Sequence, residues 1–364
     1  MQSSRDRIHV VVTGTGGAGV GRQLIRALRL GKLKYYLTAL NWDAYSTGFS
    51  EADESYVVPP ASSSDYTDQM LRICERSSSH LLLPGNEYEF GRINHDKEVF
   101  AKHSVTPLIN NGHVLDVCLD KMKTHTFLEE NGFSTPKTYI LDPGSKTAVQ
   151  SLPNDEYPFV LKPAESGGGG AGGSIYSFIA QTPDEVEFYK KAIERQGMKA
   201  LVQQYVGTAQ DEYTVGILHY PDGTLAGSIC MKRDLSTGLS ARLKVKSYKG
   251  NQTYVISSGI SQGQFVDDKK LSEYCERLAT KLGSTGPLNV QCRKVGDKIY
   301  PFEINPRFSG TCACRALAGF NEVEMYIRYI LDGEKIIRPP IRYVYCGRDL
   351  VPMLLDGSAP HAPG

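Results

Sequence analysis

Three residues able to do chemistry, Glu303, Asn305 and Arg307, lie two apart in the run FEINPR. On a β-strand that spacing puts all three on one face. A carboxylate, an amide and a guanidinium are costly to bury in an apolar hairpin for packing alone. Carboxylate and amide oxygens are ligands that suit magnesium. The preceding stretch GPLNVQCRKV places Asn289 and Gln291 on one face of a partner strand. Gln291 opposite Glu303 would gather the donors at one point. A plain two-residue turn at Gly296-Asp297 sets Gln291 against Phe302 instead. The chemistry therefore predicts a three-residue loop or a bulge at this turn.

A second candidate is KPAESGGGGAGGSIY, Lys162 to Tyr176, with six glycines in the seven positions from Gly167 to Gly173. Glycine-rich stretches make flexible linkers, but here both flanks read as strands of one unit. No Gly-Lys-Ser/Thr follows, so it is not a Walker A loop. A glycine-rich turn between antiparallel strands can lay successive N–H groups over a phosphate chain, as kinases do over ATP. A third run, GTGGAG from Gly14 to Gly19, lies between a strand and a helix, with Asp43 just past the next strand. It satisfies the dinucleotide fingerprint. Glycines there also serve to let the helix pack closely on the sheet, so both readings stand at this point.

These residues need a frame to hold them. The chain of 364 residues is long enough for two or three domains. Its first hundred residues alternate strand and helix: RIHVVVTG, GVGRQLIRALRLG, YYLTALN, SDYTDQMLRICERS and SHLLLPG. That alternation implies a parallel, doubly wound α/β sheet. From about residue 113 strands and helices mix without alternation, an α+β texture. A capping box is expected at Thr182 and Glu185, with Pro183 opening a helix. The end, DGSAPHAPG, offers little to pack and reads as disordered.

Composition narrows the function classes. The 41 basic and 40 acidic residues give a net charge of +1, without the basic excess expected of a nucleic-acid binder. No 18-residue apolar run or signal-peptide core appears, which predicts a soluble, cytoplasmic protein with no membrane partner. Eight cysteines without framework spacing read as free thiols. Cys312-Ala-Cys314 lacks the gap of a zinc ribbon, the histidines show no ligand spacing, and His125 reads as a surface residue.

Lys121, Lys162, the glycine run, Glu212 and NVQ…FEINPR occur in the order characteristic of the ATP-grasp superfamily. The chain resembles its carbamoyl-phosphate-synthase-like ligases from about residue 8 to 330. The resemblance implies a Rossmann-like pre-ATP-grasp domain (1–112), then a two-lobed ATP-grasp fold. Its small subdomain (113–205) carries the glycine-rich lid, its large subdomain (206–350) the metal site, and a tail follows (351–364). It implies that Lys121 and Lys162 hold phosphates and that the loop around Ser166, Gly168, Gly169 and Gly170 covers them. Gln203, Gln204, Tyr205 and Val206 match the linker that reads adenine, with Gln203 where many relatives have glutamate. Glu212 matches the acid on the ribose; Gln291, Glu303 and Asn305 match the ligands of magnesium or manganese. Arg307 matches the residue that meets the γ-phosphate or acyl phosphate. In this family the opening glycine turn carries no dinucleotide.

The implied reaction activates a carboxylic acid with ATP as an acyl phosphate, releasing ADP, and joins it to an amine. The small-molecule acid and amine, amino acids among them, are the implied partners, and a homodimer is common in the family. Arg242 is expected to act on the acid, with Arg233, Lys244 and Arg315 helping to anchor it. Glu87 and Glu89 in PGNEYEF sit at a strand's carboxyl end, where ligands of open α/β sheets collect. The alternatives are a carboxyphosphate- or carbamoyl-phosphate-forming enzyme of the same fold and, in another class, an NAD-dependent oxidoreductase.

Overall fold

The computed structural model describes residues 7–17, 19–141, 149–164 and 176–361. Five parallel strands open it: β1 (Ile8–Val12), β2 (Tyr35–Asn41), β3 (Glu54–Val57), β4 (Leu81–Leu83) and β5 (Thr106–Pro107), in the order β3-β2-β1-β4-β5. Alternate residues of β1 serve opposite faces. Val10 and Val12 pack with Leu24, Ile25 and Leu28 of helix Val20–Arg29. Val11 packs with Met70 and Ile73 of helix Tyr66–Arg76. This two-sided burial is what a doubly wound sheet requires.

Strand order reverses between β1 and β4, so the loops after them meet there, at the usual ligand crevice of such sheets. The meeting is tight. A methyl on Gly21 would lie 2.1 Å from the Thr13 carbonyl oxygen, and one on Gly85 would lie 2.6 Å from Gly21 Cα. The helix can approach the strand ends only because both residues lack a side chain.

The next sheet is antiparallel: β6 (Thr138–Leu141), β7 (Phe159–Pro163), β8 (Phe178–Ala180) and β9 (Ala200–Gln204), ordered β6-β9-β7-β8. Helix Pro183–Glu194 backs it through Val186 and Ile193. Thr182 caps that helix, accepting from the Glu185 N–H at 3.3 Å. The return bond of the expected box is displaced by one residue, since Glu185 Oε2 accepts from the Gln181 N–H at 2.6 Å.

The last large sheet is built from β10 (Glu212–His219), β11 (Leu225–Arg233), β14 (Gly263–Val266), β15 (Pro287–Val295), β16 (Lys298–Asn305) and β17 (Tyr345–Cys346). Its order is β16-β15-β10-β11-β14-β17, and a separate ribbon pairs β12 (Ala241–Lys246) with β13 (Thr253–Ser257). Val215, Ile217, Val290 and Cys292 pack on Leu271, Cys275 and Leu278 of helix Lys269–Lys281. The alternate residues of β10 and β15 face the other way and are polar: Glu212, Thr214, Asn289, Gln291 and Arg293.

The β15–β16 hairpin keeps the expected Gln291–Glu303 pairing by a bulge but moves that bulge away from the turn. Its turn is a plain two-residue one, with Val295 opposite Lys298 and Gly296 at φ 58°. The extra residue enters deeper in the strand. Cys292 pairs with Pro301, whereas Gln291 pairs with Glu303, leaving Phe302 unpaired. A tight turn at glycine and the Gln291–Glu303 pairing are both kept because a bulge separates them.

Residues 351–361 form no strand beyond one bridge between Val57 and His361, where the Val57 N–H donates to the Pro360 carbonyl at 2.9 Å. The expectation that this stretch finds nothing to pack against is therefore incomplete. Among the described residues no helix is long and apolar enough to cross a membrane.

Glu89 sits inside the first domain, on helix Glu87–His95. It accepts from the Tyr66 hydroxyl at 3.0 Å and from the Thr13 hydroxyl. Burial raises its pKa to about 7, against the pull of the Thr13 and Tyr66 hydrogen bonds. Between the ordinary value of 4.5 and about 7, the unfolded state ionises while the folded state stays protonated, so folding loses stability as pH rises. Glu89→Gln should therefore unfold at a higher temperature than the parent at pH 8. The gain, up to about 3 kcal/mol, should vanish near pH 4.5; a gain independent of pH would contradict this.

Candidate functional site

Because alternate residues share a face, β10, β15 and β16 assemble one polar row in register: Glu212 opposite Arg293, Thr214 opposite Gln291, Gln291 opposite Glu303, and Asn289 opposite Asn305. Hydrogen bonds link four of its members, Arg293, Glu212, Gln291 and Glu303, by way of Arg233 on β11. Arg233 Nη1 donates to Glu212 Oε1 at 3.1 Å and to Gln291 Oε1 at 3.3 Å. Gln291 Nε2 donates to Glu303 Oε2 at 3.0 Å. Arg293 Nη2 donates to Glu212 Oε2 at 3.2 Å. Glu212 and Arg233 are almost completely buried, with side-chain exposures of 2% and 1%. Such charges are tolerated inside a protein only when paired.

Above this row stands Lys162 on β7. Its Nζ donates to Gln203 Oε1 at 2.9 Å and to the Phe302 carbonyl at 3.2 Å. The acceptor is the residue that the bulge leaves unpaired. Gln203 Nε2 in turn donates to Thr138 Oγ1 at 3.0 Å. The Lys121 N–H donates to the Ala164 carbonyl at 3.2 Å, which brings the start of helix Lys121–Glu130 alongside β7. Burial, then the neighbouring Lys121 charge, lower the Lys162 pKa to about 8, opposed by Glu303. The neutral amide of Gln203 adds no counter-charge to this lysine.

Between the two sheets lies an open cleft lined by Gln203, Gln204, Tyr205, Val206, Glu212 and Lys162. Arg293, Tyr300, Phe302 and Val255 complete its walls. The expected linker and acid thus border one space. Glu212 spends one bond per oxygen on arginines, and each carboxylate oxygen has a second lone pair to offer.

Arg307 leaves the strand end toward the first sheet. Its Nε and Nη2 both donate to Glu87 Oε1, at 2.9 and 2.5 Å. Glu87 opens its helix at the crevice where strand order reverses, so that crevice and the polar row meet at this ion pair. Arg242 occupies a second bulge, between the pairs Ala241–Ser257 and Leu243–Ile256, and Ser257 and Ile256 line the cleft. Its buried Nη1 has no hydrogen-bond partner among the described residues, and burial lowers its pKa.

Other expected residues lie elsewhere. Glu89 is turned into the first domain, away from the crevice. Arg315 is 1% exposed, donating to Glu322 Oε1 at 2.8 Å and to Asn289 Oδ1 at 2.5 Å. It packs on the row's own face of the sheet, beside Asn289, because Gly216 opposite that residue has no side chain; a methyl there would be 2.2 Å from Arg315 Nη1. Arg233 borders Gln291 but is too deeply paired to meet an acid directly. Lys244 is exposed, and its amine donates to the Ser236 carbonyl at 2.7 Å. His125 is buried, not on the surface. Ser166, Gly168, Gly169, Gly170 and the rest of the glycine run lie outside the described residues. Sequence reasoning missed Arg293 and the Phe302 carbonyl. Pro301 was the available signal for the latter, because proline within a strand marks an edge or a bulge.

A parallel sheet, a small antiparallel lid and a larger antiparallel sheet that holds this row define the ATP-grasp class. Residues 198–346 match the family model described as ATP-grasp in the biosynthetic pathway with Ter operon. Residues 18–108 match the PylC-like N-terminal domain. The chain therefore carries an ATP-grasp domain behind a PylC-like amino-terminal domain. It is 24% identical over 315 residues to the carbamoyl phosphate synthase large chain of Clostridium acetobutylicum. That match covers 83% of this chain and 27% of the relative, so the chain spans about a quarter of the relative's length. The biotin carboxylase domain dimer of 2-oxoglutarate carboxylase from Hydrogenobacter thermophilus, in complex with MgADP, ADP and bicarbonate, superposes with a TM-score of 0.61 at 16% identity. It covers 92% of this chain and 72% of that one. The L-amino acid ligase of Bacillus licheniformis gives a TM-score of 0.60 at 13% identity, over 92% and 75% of the two chains. At these identities the structures are similar in fold.

The donor chemistry fits a magnesium nucleotide. Glu303 and Asn305 carry oxygen ligands, and Glu303 Oε1 accepts no bond among the described residues; Gln291, whose Oε1 accepts from Arg233 Nη1 at 3.3 Å while its Nε2 faces Glu303, would join them by turning its amide. One carboxylate is a weak cage alone, and magnesium commonly completes its shell with phosphate oxygens and water.

The Lys162 amine must be protonated to hold a phosphate. Nucleotide affinity should accordingly fall about tenfold per pH unit above about pH 8. Calorimetry in buffers of different ionisation enthalpy should then detect proton uptake, and Lys162→Met should abolish both effects. A pH-independent affinity would contradict the assignment.

Proposed function

We propose that this protein is an ATP-dependent carboxylate–amine ligase that releases ADP. The reading is carried by one observation: the Gln291–Glu303 pair, created by the bulge, lies beside a lysine bound to that bulge's carbonyl and a cleft bordered by 203–206. In the reaction a substrate carboxylate oxygen attacks the γ-phosphorus of ATP, the bond to the β-phosphate oxygen breaks, and ADP leaves. The amine then attacks the acyl carbon, phosphate leaves with the bonding pair, and the nitrogen gives up a proton.

The first step brings anions together, and each pair of unit charges at 4 Å repels by about 4 kcal/mol at an effective dielectric near 20. Lys121, Lys162 and Arg307 offset that repulsion by placing fixed positive charge around the transferred group. A divalent cation held by Glu303, Gln291 and Asn305 would supply further neutralisation when bound. Arg307 must exchange Glu87 for a phosphoryl oxygen, which couples substrate arrival to the first domain. Arg242, whose buried Nη1 has no hydrogen-bond partner among the described residues, is the candidate anchor for the acid. The substrate carboxylate is itself the nucleophile, so the reaction needs no separate Ser–His or Cys–His pair.

A second reading takes bicarbonate as the acid and makes carboxyphosphate or carbamoyl phosphate. It is favoured by the likeness to carbamoyl phosphate synthase. One screen separates the two: amino acids and small acids paired with amines, beside bicarbonate with ammonia, each scored for ADP. ADP formation dependent on an acid–amine pair is expected. AMP formation, or NADH binding at micromolar concentration, would reject the ligase reading. Glu303→Gln should lower ADP release by at least about a hundredfold, the order seen when one transition-state electrostatic contact is lost, with the unfolding temperature nearly unchanged. Arg242→Ala should raise the KM for the acid more than that for ATP; an unchanged acid KM would rule out its assigned role.

A further inference from the structure

Arg293 belongs to no motif, yet it holds more of the cleft together than any residue the motifs supplied. It lies on β15 two residues past Gln291, hence on the same face, and opposite Glu212 on β10. Its Nη1 donates to the Val206 carbonyl at 3.0 Å. Its Nη2 donates to Glu212 Oε2 at 3.2 Å and to the Val255 carbonyl at 3.1 Å. The guanidinium carbon sits 4.0 Å from the centre of the Tyr205 ring. Tyr205 is fixed in turn, since its hydroxyl accepts from the Val255 N–H at 2.8 Å.

One side chain therefore ties three separate segments: the linker at Tyr205–Val206, the ribbon strand β13 at Val255, and the acid on β10. All of them, and Arg293 itself, line the cleft. A guanidinium presents its donors in one rigid plane, so three acceptors and a stacked ring fix one another's positions. An ammonium is a point charge on a flexible stem and cannot reproduce that geometry. The side chain is only 8% exposed, and its donors are committed to protein acceptors, so its effect on a ligand is exerted through these walls.

We propose that Arg293 is the positioning residue for the nucleoside half of the bound nucleotide: it holds the base-facing linker and the sugar-facing acid in their binding arrangement before the ligand arrives. This rests on the nucleotide reading of the cleft. The triphosphate half depends instead on Lys121, Lys162 and the Gln291–Glu303 row. The arrangement is preorganised, so its loss is felt as weaker binding of whatever needs both walls at once.

The two halves can be separated by ligand. Binding of magnesium ADP and of magnesium tripolyphosphate, which has no nucleoside, is measured for the parent, Arg293→Lys and Arg293→Ala. Losing charge-assisted hydrogen bonds should weaken ADP by about tenfold or more in Arg293→Ala. Arg293→Lys should recover little of it, and tripolyphosphate affinity should stay within about twofold in both. Arg293→Lys keeps a cation beside Glu212. If Arg293→Ala fails to fold, Tyr205→Leu, which removes the stacked ring, must give the same split. Equal weakening of both ligands, or no weakening of ADP in a folded variant, overturns the proposal. A parent protein that binds tripolyphosphate and ADP equally well overturns it too. A parent that binds neither ligand removes the nucleotide reading itself.

Discussion

The site depends on one extra residue in one hairpin. A strand's side chains alternate, so a slip of a single position turns every later residue to the opposite face. Without the bulge at Phe302, the tight turn at Gly296 would aim Glu303 and Asn305 at the apolar layer under helix Lys269–Lys281. With it, both face the cleft, and the carbonyl freed from the ladder becomes an acceptor for Lys162. A single local irregularity thus sets the carboxylate toward the cleft and ties the lid sheet to the larger sheet.

Charge is distributed around that point with an economy typical of anion sites. Glu303 is the one carboxylate of the proposed metal-binding trio, while Lys121, Lys162 and Arg307 come from three parts of the chain. Arginines that lie deeper, Arg233 and Arg293, share the Glu212 carboxylate and serve as frame. The distinction follows from burial: a guanidinium with 1% exposure cannot surrender its carboxylate without stranding a charge. Arg307 and Glu87, at 17% and 27%, have solvent within reach and can exchange partners.

Much of this was legible in the sequence. Strand–helix alternation gave the first sheet, and two-residue spacing gave the polar face, because both are direct consequences of backbone periodicity. The need for a register shift was also legible, from the chemistry of the residues it had to bring together. Its position was not, because a tight turn and a longer loop are both compatible with Gly296-Asp297, and Pro301 alone marks the bulge. Arg315 and Glu89 carry charges that, in a sequence, look available to a ligand. Asn289 and the nearby Glu322 hold one, Thr13 and Tyr66 the other, and only the tertiary arrangement reveals these pairings. Arg293 has no motif at all; its role comes from three contacts made by segments distant in the chain.

The most direct test of the central claim is an anomalous difference map from a crystal grown with manganese and a non-hydrolysable ATP analogue. The account predicts a peak at about 2.2 Å from oxygens of Glu303 and Asn305, the spacing of a hard divalent cation and its ligands, with the analogue's terminal phosphate beside Lys162. A map with the analogue bound and no peak at these residues, or with the metal seated elsewhere, would contradict it.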